Sequence, residues 1–249
     1  MAVAPIIADT FAPLVDLVFP PRCPLCGEGI AEQTGLCAPC WSELVIPGEP
    51  ACATCQRPFA NRALGEGVVC APCQQSPPVH DGIAAGTLYN EASRQLVLRF
   101  KHGRKIAMAP MLARLVAARL PAADSERVFV PVPLHWTRLW QRGFNQSALL
   151  ARELAKATGG VLLVDALRRS KRTPPLGGLG RNARERMLAG SIEVASARKS
   201  ALAGRDVVLV DDVLTSGATS TACVKVLKRA GAKSVVIACF SRVLDEAIP

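Results

Sequence analysis

Val207-Val208-Leu209-Val210-Asp211-Asp212-Val213-Leu214-Thr215-Ser216-Gly217-Ala218-Thr219 is the stretch on which the fold turns. Its first four residues are apolar and three are β-branched, as in a strand buried on both faces of a parallel sheet. Two carboxylates follow, then a Thr-Ser-Gly-Ala-Thr turn. The spacing beyond it predicts a helix from about Ser220 to Ala230, with Val224, Leu227 and Ala230 on one face and Gly231 as its stop. Val235–Phe240 is a second apolar run. This is a βαβ unit, whose ligand belongs beyond the carboxyl ends of its strands.

The turn suits a phosphomonoester. Gly217 lets backbone approach closely, and a helix N-terminus offers unpaired N–H groups and a positive dipole end. Thr215, Ser216 and Thr219 add hydroxyls, and Ala218 lies within the turn between them. Asp211 and Asp212 can accept hydrogen bonds from vicinal hydroxyls, as a ribose presents them. The alternative reading of this acid pair is a strand-end turn or helix cap. The stretch lacks the Gly-Lys-Ser/Thr of a Walker A loop and is not a GxGxxG turn.

Moving outward, residues 128–134 read as a strand ending in a double-proline loop, because proline cannot donate to a central ladder. Arg138 and Arg142 follow, and His135 reads as a loop residue. Residues 147–158 form a helix stopped by Gly159-Gly160, and 161–164 a short strand. Residues 83–89 read as an edge strand; 91–101 and 108–120 read as helices. The Lys101–Lys105 run closes the first of these helices, where cations favour the dipole. Arginines and lysines flank a proline- and glycine-rich segment over 168–186, the composition of a mobile loop or of a merely solvated one.

The N-terminal third has a different chemistry. Cys23, Cys26, Cys37 and Cys40 form CPLC, ten residues, CAPC; Cys52, Cys55, Cys70 and Cys73 form CATC, fourteen residues, CAPC. Two knuckles supply four thiolates, a closed tetrahedral shell for a structural Zn²⁺ rather than a catalytic one. Sequential pairing, one ion per quartet, is the favoured arrangement; a cross-braced one uses the same eight residues. So short a region buries little core, so metal binding must supply its folding energy. Cys223 and Cys239 sit among apolar neighbours and read as core.

Composition sets the outer limits. The chain has 249 residues, of which 50% are hydrophobic and 4% aromatic, which excludes a wholly disordered protein. The net charge is +10 from 30 basic and 20 acidic residues, but it is divided unevenly. Residues 1–80 hold three basic and seven acidic residues; residues 81–249 hold 27 and 13. A basic domain suits phosphorylated or polyanionic partners, whereas the acidic ribbon region suits a structural or protein-contact role. No stretch is long and apolar enough to span a membrane. The apolar start (Ile6 to Phe19) carries Asp9 and Asp16 and lacks a basic lead, so it reads as a packed helix rather than a secretory signal. Reduced, zinc-loaded thiols then imply a cytoplasmic location. The proline pair Pro77-Pro78 divides an expected ribbon region, 1–78, from an expected α/β domain, 82–249.

The 207–219 stretch resembles the 5-phosphoribosyl 1-diphosphate (PRPP) signature of type I phosphoribosyltransferases. The wider chain resembles the competence protein F family at Val15–Cys26, Phe100–Arg104, Val130–Leu134 and Arg142-Gly143-Phe144-Asn145-Gln146. The resemblance implies an α/β, doubly wound, mainly parallel phosphoribosyltransferase-like sheet carrying a small double zinc ribbon. It implies a Mg²⁺–PRPP site in which residues 215–219 hold the 5-phosphate and Asp211 and Asp212 hold the ribose. Pro131, Val132 and Pro133 become the pyrophosphate loop, with Arg142 lending charge, and 168–186 becomes the loop that closes over substrate. Lys101 becomes a substrate or subunit contact. Leu176 stands where the family usually has glutamine, and the family usually has an asparagine near Met187. Two functions follow: phosphoribosyl transfer to an unidentified acceptor, or non-catalytic PRPP binding in DNA uptake, with single-stranded DNA and uptake or recombination proteins as partners. A third reading keeps only a zinc-based interaction module beside a relic domain.

Overall fold

The computed structural model describes residues 20–65, 67–102, 106–123, 125–170 and 190–244. The expectations for the apolar start up to Phe19, for the basic run at Gly103–Lys105, and for the 168–186 loop from residue 171 onward, with Leu176 and the nearby Met187, lie outside them, whereas Arg168 and Arg169 fall in a short strand rather than a loop.

Helices α1 (Ala38–Ser42) and α2 (Ala71–Gln75) each begin just after a cysteine, at the second knuckle of a quartet. Then come β1 (Gly82–Leu88), α3 (Glu91–His102), a 3₁₀ turn (Ile106–Met108) and α4 (Ala109–Ala117). β2 (Val128–Pro131), α5 (Trp136–Arg142), α6 (Gln146–Thr158) and β3 (Val161–Leu162) follow. A small hairpin of β4 (Leu167–Arg169) and β5 (Ile192–Val194) precedes α7 (Lys199–Leu202), β6 (Asp206–Leu214), α8 (Ala218–Arg229) and β7 (Ser234–Arg242).

The main sheet has the order β1-β7-β6-β2-β3, and every described pairing in it is parallel. β1 is an edge strand, as its sequence suggests, and β6 lies at the centre. The side-chain alternation of β6 feeds two cores. Val207 and Leu209 pack with α8 and the β4–β5 hairpin (Leu227, Cys223, Leu167, Ile192). Val208 and Val210 pack with α3, α4 and α6 (Leu96, Phe100, Leu112, Leu154). Helices therefore cover both faces, the doubly wound α/β arrangement that the sequence predicts.

The βαβ unit differs in its limits. β6 runs on through Asp211 and Asp212 to Leu214, because β7 keeps pairing with it as far as Leu214↔Arg242. α8 starts at Ala218 rather than near Ser220, since Gly217 at φ 71° is its cap. That left-handed backbone is why glycine stands there. α5 and the β4–β5 hairpin, absent from the sequence reading, are too short for periodicity to reveal.

The cysteine ribbons do not hang free. Cys52, Cys55 and Cys70 belong to the same core as Ile83, Leu209 and Ile237. Leu44 is buried in the other core, with Leu25 and Leu36 packed against it.

Gly160 shows how tightly β3 enters the sheet. A Cβ there would lie 2.5 Å from Phe129 Cε2 and 2.8 Å from the Arg127 carbonyl oxygen. Gly160→Ala is expected to cost about 2–3 kcal/mol through overpacking, read as a lowered urea midpoint with an unchanged slope. Gly159→Ala next door strains the backbone instead, because that residue sits at φ 74° with open space around it.

Candidate functional site

The acid pair lies near the C-terminal end of β6, reached by two other elements, α6 and the end of α3. Asp211 is partly buried; its Oδ1 accepts from Ser147 Oγ at 3.1 Å and from the Asp212 amide at 2.9 Å. Ser147 sits in the first turn of α6, so that helix N-terminus faces the carboxylate. Burial, and then the Asp212 carboxylate beside it, push the Asp211 carboxyl up to about 7. Asp212 is buried, and its Oδ2 lies 3.0 Å from Lys101 Nζ. Lys101, far away in sequence, thus reaches the site from the end of α3.

The Arg142–Gln146 stretch is the brace behind these acids. Asn145 caps α6, its side chain accepting from the Ser147 amide at 3.0 Å and donating to the Val132 carbonyl at 3.1 Å. Arg142 Nη1 donates to Gln146 Oε1 at 3.2 Å, and buried Gln146 donates to the Lys101 carbonyl at 3.4 Å. One short segment therefore ties together the double-proline loop, the acid pair and the end of α3. Its residues have no periodic or spacing signature; only the resemblance drew attention to them.

Pro131, Val132 and Pro133 are all buried. The prolines have no N–H, and the Val132 amide donates to the Val210 carbonyl at 2.8 Å. The loop can therefore offer ligand-facing amides only from Leu134 onward. His135 is the side-chain cap of α5, its Nδ1 accepting from the Thr137 amide at 3.4 Å. Nearby, burial and then the Arg138 charge lower the Arg169 guanidinium, so cations crowd this edge of the site.

The 215–219 turn keeps its donors. The N-cap of α8, Gly217, makes no side-chain cap, so among the described residues the amides of the α8 first turn have no side-chain partner. Thr215 is exposed, Ser216, Gly217 and Thr219 are half-buried and Ala218 is buried. Leu214, Thr215, Ser216 and Gly217 border a cavity of about 310 Å³.

The raised Asp211 pKa has a consequence with a definite sign. A carboxyl with a folded pKa of about 7 and an unfolded one of about 3.9 holds its proton longer in the folded state. Its contribution to stability is therefore lost as pH rises between those values. Asp211→Asn is expected to abolish that loss, gaining on the order of a few kcal/mol over wild type at pH 8 and far less at pH 4.5. Denaturant midpoints at the two pH values measure it.

The two cysteine quartets each converge. Within Cys23, Cys26, Cys37 and Cys40, and again within Cys52, Cys55, Cys70 and Cys73, the sulfur atoms all lie within 4.8 Å of one another. The arrangement is thus sequential rather than cross-braced. Burial and then the neighbouring thiols push Cys40 and Cys73 up, the mutual repulsion that a divalent cation relieves. Four soft donors at this separation fit structural zinc.

Comparison with known proteins agrees with this geometry. A family model described as "Double zinc ribbon domain" matches residues 14–78, and one described as "Phosphoribosyl transferase domain" matches residues 141–248. The DNA utilization protein YhgH of Salmonella typhimurium is 31% identical over 235 residues, covering 92% of this chain and all of the relative. Competence protein F of Haemophilus influenzae is 29% identical over 223 residues, covering 87% of this chain and 94% of the relative. Competence protein ComFC of Streptococcus pneumoniae is 26% identical over 230 residues, covering 86% and 96%. Among the described residues no helix is long and apolar enough to cross a membrane.

Proposed function

Because the chain belongs to the family of the DNA utilization protein YhgH and competence protein F, joining a double zinc ribbon to a phosphoribosyltransferase domain, we propose that it binds Mg²⁺–PRPP and transfers the phosphoribosyl group to a small acceptor. The observation that carries this is one strand end: an acid pair on β6, followed at once by a glycine-capped, uncapped-by-side-chain helix N-terminus.

In this reading the amides of the α8 first turn and the hydroxyls of Thr215, Ser216 and Thr219 hold the 5-phosphate. Asp211 and Asp212 accept hydrogen bonds from the ribose diol. Asp212 then exchanges its contact with Lys101 for the sugar hydroxyls, and Lys101 becomes a cation for the leaving diphosphate. Asn145 and Gln146 keep Val132 and Lys101 in place during that exchange; they are positioning residues. Mg²⁺ fits as an ion carried in by the diphosphate, since it favours phosphate oxygens supplemented by one or two carboxylates. Positive charge developing at the anomeric carbon would be stabilised by the paired acids, so positioning and electrostatics supply the catalysis. Cytoplasmic operation suits free thiols and a phosphorylated sugar.

A second reading, PRPP binding without turnover during DNA uptake, is favoured by a different observation. α5 exposes Trp136 (67%) and Trp140 (86%) one turn apart, with Arg138 between them. Aromatic faces interleaved with cations suit stacked bases of single-stranded DNA. The names of the relatives point the same way. Pyrophosphate release from Mg²⁺–PRPP, assayed with a panel of nucleobases, amines and carboxylates, separates the two. Acceptor-dependent release supports transfer. Binding of PRPP with no release by any acceptor, together with steeply salt-dependent single-strand binding that Trp140→Ala weakens, supports the second.

A further inference from the structure

The cavity of about 310 Å³ beside the 215–217 turn gathers nitrogen-bearing side chains from four separate parts of the chain. Arg57 comes from the second cysteine ribbon, His80 from the connector, Lys225 from α8 and Arg242 from the end of β7. Among the described residues its lining contains no carboxylate. Its floor, Ile83 and Ile237, belongs to the α8 face of the sheet, whereas Lys101 reaches Asp212 from the helices on the other face.

Two features of the lining suit an anionic ligand. Arg242 is buried, and its Nη1 donates to the Cys55 carbonyl, but among the described residues no carboxylate pairs with it. A buried charge without a counter-charge is costly. His80 borders the cavity, and its buried Nδ1 has no hydrogen-bond partner among the described residues, so the ring is not tied down by a side-chain bond through that atom. The neighbouring acid cannot serve either: Asp81 Oδ1 is 2.9 Å from Lys228 Nζ, and its Oδ2 accepts from the Val235 amide at 2.7 Å. Burial, reinforced by the Arg242 charge, lowers the His80 pKa to about 4, so the imidazole is a neutral hydrogen-bonding group at ordinary pH.

We propose that this cavity seats the second reactant, a small molecule bearing a carboxylate or phosphate group, next to the turn that holds the ribose phosphate. As an acceptor pocket it rests on the PRPP reading; as an anion site it does not. The volume is at the lower end of small-molecule pockets, enough for a compact ligand. A nucleic-acid strand instead needs an open groove tracking many phosphates. The pocket also accounts for the fusion of the two regions. The second ribbon provides one wall and, through the Cys55 carbonyl, holds Arg242 in place.

Inorganic phosphate is the probe, and the His80 ring resonance of the full zinc-loaded chain is the reporter, assigned with His80→Gln. Phosphate is expected to shift that resonance saturably, both alone and with Mg²⁺–PRPP at saturation. Lys225→Met, which touches none of the proposed PRPP contacts, is expected to weaken phosphate roughly tenfold and leave Mg²⁺–PRPP affinity unchanged. An unmoved His80 resonance, or an unaffected Lys225→Met, overturns the site. Loss of the phosphate response when Mg²⁺–PRPP binds overturns a separate pocket and reduces the cavity to part of the phosphate turn. Displacement of phosphate by a single-stranded oligonucleotide overturns the small-molecule assignment. If Mg²⁺–PRPP fails to bind while phosphate still moves His80, the anion site stands and its role as an acceptor pocket falls.

Discussion

Cys70→Ser is expected to melt the main sheet as well as the ribbon it sits in. Cys52, Cys55 and Cys70 are 1%, 5% and 6% exposed and share one core with Ile83, Leu209 and Ile237. Zinc binding to a four-thiolate site supplies roughly 10–16 kcal/mol of apparent folding energy at neutral pH, comparable to the roughly 5–15 kcal/mol that stabilises a whole domain. Losing one ligand of the second quartet therefore removes a large part of the stability of the core around β1 and β7. It also releases the Cys55 carbonyl that holds Arg242. The first quartet differs: Cys26 is exposed, and that ribbon reaches the opposite core through Leu25, Leu36 and Leu44. Cys26→Ser is expected to lower the melting temperature by a smaller amount and leave the main cooperative transition intact. Thermal melts with zinc content measured on the same samples test the contrast. Equal melting of both variants with wild type would remove the metals from the stability of the fold.

The sequence displayed its local chemistry and hid its long-range partners. Knuckle spacing made both quartets readable, because a Cys-x-x-Cys pair turns onto one ion whatever surrounds it. The β6–turn–α8 unit was readable for a similar reason: apolar run, acids, glycine and helix are consecutive. Strand and helix limits shifted because they depend on pairing with β7 and on the left-handed Gly217, which act beyond a local window. Lys101 could be seen as a cation at a helix end, but not as the partner of Asp212, since the link is made only in space. Asn145, Gln146 and Ser147 carry no pattern of their own; their value comes from bonds to Val132, Lys101 and Asp211. Nor could periodicity reveal that the acidic ribbons would pack into both cores of a basic domain.

Asp212→Ala is expected to abolish recognition of the sugar phosphate. The wild-type carboxylate is buried and paired with Lys101 at 3.0 Å, so in the proposed reading it trades one charged partner for the ribose hydroxyls at little cost in reorganisation. Truncation removes those hydrogen bonds and leaves Lys101 unpaired in a site that is mostly enclosed. Each hydrogen bond to a charged group is worth about 1.5–3 kcal/mol, so two lost together weaken binding by about a hundredfold or more. Removing one member of a buried pair also costs stability, about 3–5 kcal/mol in fully buried cases. Asp212→Asn keeps the shape and a hydrogen-bonding group, and is the variant that separates lost recognition from lost folding. It is expected to melt close to wild type and to bind far more weakly.

Isothermal calorimetry of Mg²⁺–PRPP into the zinc-loaded wild type, Asp212→Asn and Asp212→Ala is the most direct test of a ribose-phosphate site at the end of β6. Saturable wild-type binding, lost or weakened about a hundredfold in both folded variants, is the predicted result. No heat from the wild type, or equal affinity in all three proteins, would contradict it.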